Sequence, residues 1–314
     1  MLILIILLVS CSTAPQQQED VTEKKNLAAE YTGYGNDYFN QGLYERALEF
    51  FELALSFNIA VDNEKGMVRS YNSIGSVYMA LGMYDAAMQN FQKAYNLASI
   101  ISDPTLQSQA ANSIGEVYLS NGDFQKSKDM FLEALKFKDK EIPEEHVAIV
   151  YHNLGSVNKR LGNRGDALKY IEEALKINLK NKRYEEVATN YYMLASIHSE
   201  NEKYEKAIEY IHLALEYDKK VENSLGIAKD FLALGLIYGK LGEKEEAYKY
   251  FQKTFNVYRA LIALYPTLSI QLEVKSILKY LIETAEELGY EKDIKKYRSY
   301  LGLKRKTIEV APNE

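Results

Sequence analysis

Tyr71-Asn-Ser-Ile-Gly75-Ser-Val-Tyr78-Met-Ala-Leu-Gly82-Met-Tyr84-Asp-Ala-Ala87-Met-Gln-Asn-Phe91 alternates large and small residues at helical spacing, and the same arrangement returns along the chain. Small residues equivalent to Gly75 stand at Gly35, Gly115, Gly155, Ala195 and Gly235, so that each is 40 residues from the next. A second column follows seven residues later at Gly42, Gly82, Gly122, Gly162 and Gly242, interrupted only at Glu202. The first glycine lies inside an apolar helical run, where it costs about 1 kcal/mol against alanine and implies a closely packed neighbouring helix. The second closes that run ahead of a new helical pattern and reads as a left-handed helix stop. Each unit is therefore a helix, a turn and a helix, and there are six of them.

Other columns agree. Four residues before the first glycine stand Tyr31, Tyr71, Ala111, Tyr151, Tyr191 and Phe231; three after it come Tyr38, Tyr78, Tyr118, Asn158, His198 and Tyr238. Twelve after it are Ala47, Ala87, Ser127, Ala167, Ala207 and Ala247, and four further on Phe51, Phe91, Phe131, Ile171, Ile211 and Phe251. This alternation resembles the tetratricopeptide (TPR) repeat, with Tyr or Phe in its Trp slot. The interval exceeds the usual ~34 residues. It looks like the longer-helix variety of kinesin light chains, the LGN family of mitotic scaffolds and bacterial Rap-type regulators. The resemblance implies an all-α fold, a right-handed superhelical solenoid of six helix-turn-helix units over residues 20–259. Asp103-Pro104 and Ile142-Pro143 look like helix starts with proline in the first turn.

After the sixth unit the pattern decays. Tyr265-Pro266 stops its second helix near Leu264, a helical run follows over Leu268 to Leu288, Gly289 ends it, and Glu291 to Leu301 gives a last helix. Residues 260–303 thus form a degenerate seventh pair whose polar outer helix suits the end of a solenoid, and 304–314 is a tail.

At the N-terminus, Leu2 to Val9 is an unbroken apolar run, far short of the ~20 residues of a spanning helix. It reads as the hydrophobic region of a secretion signal. Leu8-Val9-Ser10-Cys11 resembles a bacterial lipobox, which implies a signal peptide over residues 1–10 and lipidation of Cys11. Cys11 is the only cysteine, and lipidation accounts for an exported thiol with no disulfide partner. Two or more acyl chains anchor stably where one does not. No Lys or Arg precedes the apolar core; either the true start lies upstream or the amino terminus supplies the only positive charge. Ser12 rather than Asp follows Cys11, which by analogy with that family favours the outer over the inner membrane of a bacterial envelope. Residues 11–19 read as a polar tether, with Asp20 and Glu23 as a capping box for the first repeat helix.

Composition, 47% hydrophobic and 26% charged, is that of a globular chain, and a net charge of −6 lacks the basic footprint of general nucleic-acid binding. The four histidines make no HxxxH pair, and without a second cysteine no thiolate zinc site exists; no metal and no cofactor are expected. Gly235-Leu-Ile-Tyr-Gly239-Lys240 is one residue short of a phosphate loop, has Leu241 in place of Ser or Thr, and lies within a repeat helix. No Ser, His and Asp constellation stands out, so the chain is not expected to be an enzyme.

The TPR resemblance implies that the first helix of each unit lines a groove, at places three before and one after the packed glycine. Those places hold Thr32, Asn72, Asn112, His152, Tyr192 and Leu232, then Asn36, Ser76, Glu116, Ser156, Ser196 and Leu236, with Ser73, Asn153 and Met193 beside them. A carboxamide offers a donor and an acceptor together, so Asn36, Asn72, Asn112 and Asn153 can pair with the peptide bonds of an extended ligand, which small Ser73 and Ser76 let approach. The alternative use of these asparagines is to bond neighbouring helices or water. Farther along, positive Lys159, Arg160, Lys229 and Lys240 stand among apolar Tyr192, Met193, Leu232 and Leu236, an end suited to an acidic and hydrophobic segment. Thr32 replaces the first lysine of the carboxylate clamp of chaperone-binding TPR domains, which argues against a chaperone C-terminus. Three functions follow: a membrane-anchored, non-catalytic scaffold or adaptor for a partner protein or peptide; a ligand-capture component of an envelope transport system; or a self-assembling structural protein.

Overall fold

The computed structural model describes residues 14–140, 142–264 and 268–302, and among these every regular element is a helix. The predicted signal and the predicted lipidation site, Cys11, lie outside the described residues, as do the last twelve. Two compact units result, residues 1–150 and 151–314.

The first unit contains α1 (Ala14–Asn40), α2 (Tyr44–Ala60), α3 (Glu64–Ala80), α4 (Tyr84–Ile100), α5 (Pro104–Ser120), α6 (Phe124–Leu135) and the opening turns of α7 (Glu144–Arg160). The second contains the rest of α7, then α8 (Arg164–Lys180), α9 (Tyr184–Glu200), α10 (Tyr204–Lys220), α11 (Ser224–Leu241), α12 (Lys244–Leu264), α13 (Leu268–Leu288) and α14 (Glu291–Gly302). The even-numbered helices from α2 to α12 start at the interval of the glycine columns. The fold is an all-α repeat solenoid.

The first glycine column holds the two helices of a unit together. A Cβ at Gly35, Gly75 or Gly115 would stand 2.5 Å from the ring of Phe51, Phe91 or Phe131, and one at Gly235 equally close to Phe251. At Gly155 the obstacle is Ile171. These partners are buried, as is Ala195 opposite Ile211, so the core of each pair is a large side chain in a notch left by a small one. Where the large-small columns turn polar, local bonds compensate: buried Ser127 donates to the Gly115 carbonyl at 2.8 Å, and buried Asn158 to the Leu154 carbonyl at 2.7 Å. His198, in a tyrosine slot, stacks on Tyr210 at 5.4 Å.

Left-handed φ at Gly42, Gly82, Gly122, Gly162 and Gly242, between 73° and 82°, ends each first helix, and Glu202 adopts the same region at 57°. The turns between units carry a second left-handed column that no glycine marks: Asp62, Ser102, Lys182 and Glu222 have φ of 52° to 56°. Asp103 caps α5, accepting from the Leu106 amide at 3.1 Å, with Pro104 first in the helix. Pro143 instead immediately precedes α7, its carbonyl accepting from the His146 amide at 3.0 Å.

One boundary departs from expectation. Helix α1 begins at Ala14, so residues 14–19 of the predicted tether are helical and Asp20 lies inside the helix, paired with Lys24 at 2.9 Å, instead of capping it. The Gln and Glu of this stretch have good helix propensity, and local propensity carries the helix past the first residue of the repeat. At the other end α13, α14 and left-handed Gly289 close the second unit, burying Phe255, Tyr258, Ile277, Leu281, Tyr297 and Tyr300 in one cluster.

Candidate functional site

In the first unit Asn36, Asn72 and Asn112 take equivalent faces of α1, α3 and α5 but differ in surroundings. Asn36 is exposed. Asn72 is half-buried, and its Oδ1 is shielded from solvent with no hydrogen-bond donor. Asn112 is only 5% exposed and donates to Glu116 Oε1 at 2.9 Å, a bond within its own helix. Ser73 is half-buried beside them, and Ser76 donates to the backbone carbonyl of Asn72 at 3.0 Å.

In the second unit the four cations differ in surroundings: Lys240 stands with Tyr192, Leu232 and Leu236 in one trough, and Lys229 lines a hollow beside Tyr192. Lys159 pairs with Glu200 at 2.7 Å, and Arg160 and Lys229 are exposed. His152 is held on Asn190 Oδ1 at 2.8 Å, and burial keeps its imidazole below the usual range, so the neutral ring donates from Nδ1. Asn153 is half-buried on the same helix.

Two hollows meet at Tyr192. The larger, about 550 Å³, is a trough whose walls include Tyr192, Ser196, Leu232, Leu236, Lys240 and Tyr280 from α9, α11 and α13. Glu200, Glu283 and Glu287 stand in the same wall, so carboxylates outnumber ammonium groups there and an acidic ligand segment is disfavoured. The smaller, about 320 Å³, lies over Asp218, Lys229 and Asp230, walled by Glu185, Tyr192 and Leu225. Burial first, then the charge of Asp230, raises the Tyr192 phenol.

Beneath the smaller hollow is a polar niche that sequence reading missed. The end of α10 gives Asp218 and the following helix gives Asp230, both buried. The capping Asn223 donates to Asp218 Oδ1 at 2.9 Å and accepts from the Gly226 amide at 3.1 Å. Gly226 has no room for a Cβ because the Asp218 carboxyl fills it. The first unit repeats the device: Asn63 donates to Asn58 Oδ1 at 2.7 Å, Gly66 is blocked by Asn58, and Asn58 donates to Ser70 at 3.2 Å. Asn178 and Asn190 hold the corresponding places between α8 and α9, and Ala98 and Ala110 those between α4 and α5. Polar residues recurring at 58, 178 and 218 and at 70, 190 and 230 were the available signal; in a lone hairpin these places face outward, and only the next hairpin buries them.

Among the described residues no group of three His, Cys, Asp or Glu side chains could hold a metal ion, and no helix is long and apolar enough to cross a membrane.

No curated protein matches the sequence. Solved structures do, at identities that speak to fold alone. A signal transduction ATPase with numerous domains from Pyrococcus horikoshii, which has a tetratricopeptide repeat sensor, is 18% identical, with 90% of this chain and 42% of that one covered and a TM-score of 0.69. A Rap protein complexed with competence and sporulation factor is 17% identical over 88% and 74% of the two chains, TM-score 0.62. BtubC from P. vanneervenii is 19% identical over 74% and 94%, TM-score 0.60. A family profile described as tetratricopeptide repeat matches residues 27–100, 105–180 and 186–260, and indicates no enzyme family. With most of its length so matched, the chain belongs to the tetratricopeptide repeat family.

Proposed function

We propose that the protein is a membrane-anchored, non-catalytic TPR scaffold of the long-repeat type, binding a partner protein or extended peptide along its first helices. The observation that carries this reading is the trough on α9, α11 and α13. Its exposed Tyr192 and Leu236, each 37% accessible, stand over buried Ile211 and Phe251 and beside Ser196 and Ser199, an apolar floor with polar edges. The likeness to a Rap protein crystallised with a bound factor supports it. In the first unit Asn36 and Asn72 remain the amides best suited to peptide bonds. The lipobox resemblance at Cys11 supports anchoring in a bacterial envelope, at the outer membrane in preference to the inner.

The trough volume also falls in the range of small-molecule sites, roughly 300–1,000 Å³, which favours ligand capture for a transport system as the second reading. Protein lacking residues 1–11, used as bait in detergent-solubilised envelope, tests the first. Leu236→Glu in the trough should abolish retention of the captured proteins, while Leu272→Glu, on exposed surface outside it, should leave retention unchanged. Equal retention by both variants would defeat the trough as the binding surface. Asn72→Ala alone is expected to weaken retention with stability changed by less than about 1 kcal/mol.

A further inference from the structure

Repeat folding does not require acid in the niche between consecutive units. Asn58 with Ser70, Asn178 with Asn190, and Ala98 with Ala110 fill the same slot with neutral groups. Among the described residues, of these slots the one between α10 and α11 holds two carboxyl groups, and there the niche meets a 320 Å³ hollow on Asp218 and Asp230. Asp230 is 1% exposed, lines that hollow, and receives no hydrogen bond from any protein donor at Oδ2. Asp230 shares a hydrogen bond with Asp218 and finds no further donor in the protein, so a cation entering the hollow can take the place of the shared proton.

The walls indicate which donor. Ala188, Leu225 and the Tyr192 ring offer apolar surface to an aliphatic stem, and Glu185 adds a third carboxylate near the mouth. Lys229 is the one cationic side chain of the lining. Tyr192 is shared with the trough, whose wall is also richer in carboxylate than ammonium, so a chain lying in the trough can send a side chain past Tyr192 into the hollow. Resting on the peptide-binding reading above, we propose that this hollow receives a lysine or arginine side chain of the bound peptide, its cation hydrogen-bonded to Asp218 and Asp230.

Proton exchange accompanies the event. Burial first, and then the charge of Asp218, push Asp230 up to about 8, so near neutral pH the unliganded pair holds one proton. The groups facing it are Glu185 and Tyr192 from α9, Asp218 from α10 and Lys229 from α11. An arriving ammonium keeps its own protons, the Asp230 carboxylic acid gives up its proton to solvent, and an ion pair replaces the shared hydrogen bond.

The test uses two random hexapeptide pools, one with lysine fixed at the third place and the other with Nε-acetyllysine, passed over the immobilised full chain. Retention of the lysine pool should exceed that of the other by about tenfold, the scale of one desolvated charge-assisted bond. Calorimetry of a retained lysine peptide at pH 7, in buffers of different ionisation enthalpy, should show release of most of one proton. The double variant Asp218→Asn, Asp230→Asn reproduces the pair that the chain carries at Asn178 and Asn190, so it should fold with unchanged circular dichroism, lose the preference and release no proton. Equal retention of the two pools, or a preference that survives the double variant, overturns the proposal while leaving peptide binding intact. Retention of neither pool overturns both.

Discussion

Asp230 and Asn190 occupy the same place in successive repeats, yet only the aspartate couples the fold to pH. Its folded-state affinity for a proton is raised, from the ordinary 3.8 to about 8, so its contribution is present in full at low pH and declines as pH rises through that interval. Thermal unfolding of the protein is expected to move to lower temperature between pH 5 and pH 8, by on the order of 1 kcal/mol of stability per pH unit, with Asp230→Asn flattening the profile. A parent profile already flat over that range would refute the buried shared proton. Gly115 poses a steric problem instead: leucine there must displace Phe131, and Gly115→Leu should lose about 3 kcal/mol in urea titrations, whereas Ala195→Gly should be mild. The glycine was legible in the sequence because close helix approach has almost one residue solution. The Asp218 and Asp230 pair was not, since a helical period counts these positions as surface until the next hairpin covers them.

Helix ends divide into those that announce themselves and those that do not. Gly242 stops α11 at φ 80°, where Gly242→Ala should cost about 1 kcal/mol, while Glu202, already at φ 57°, should gain up to about 1 kcal/mol on replacement by glycine. Opposite signs in paired melting curves are the expected outcome; like signs would mean the turns are governed by side-chain contacts. Asp62, Ser102, Lys182 and Glu222 adopt the same backbone with no glycine to mark it, each turn closed by the next amide donating back to a helix-end carbonyl, as Asn63 to Asn58 and Asn223 to Asp218, both at 2.9 Å. The bounds of α12, α13 and α14 were readable from Pro266 and Gly289, whereas the start of α1 was not, polar glutamines being as acceptable in a solvated helix as in a linker.

At the scale of the molecule, repetition made the fold readable and left the ligand obscure. Six coincident columns specify hairpins, but position alone places Asn72, Asn112 and Lys159 on a binding face, and Asn112 and Lys159 are bonded to Glu116 and Glu200. The proposed attachment to the envelope rests on Cys11: Cys11→Ala should shift the protein from the membrane pellet to the soluble or unprocessed fraction, and a variant that still sediments with acylated lipid would contradict that anchor. The slot beneath consecutive hairpins has a wider consequence. Since asparagine with serine, paired asparagines, paired alanines and paired aspartates all seat there on one backbone, two codons per junction suffice to rewrite the polarity of that slot. Such a chain can vary the chemistry between its hairpins in small inherited steps while its architecture stands still.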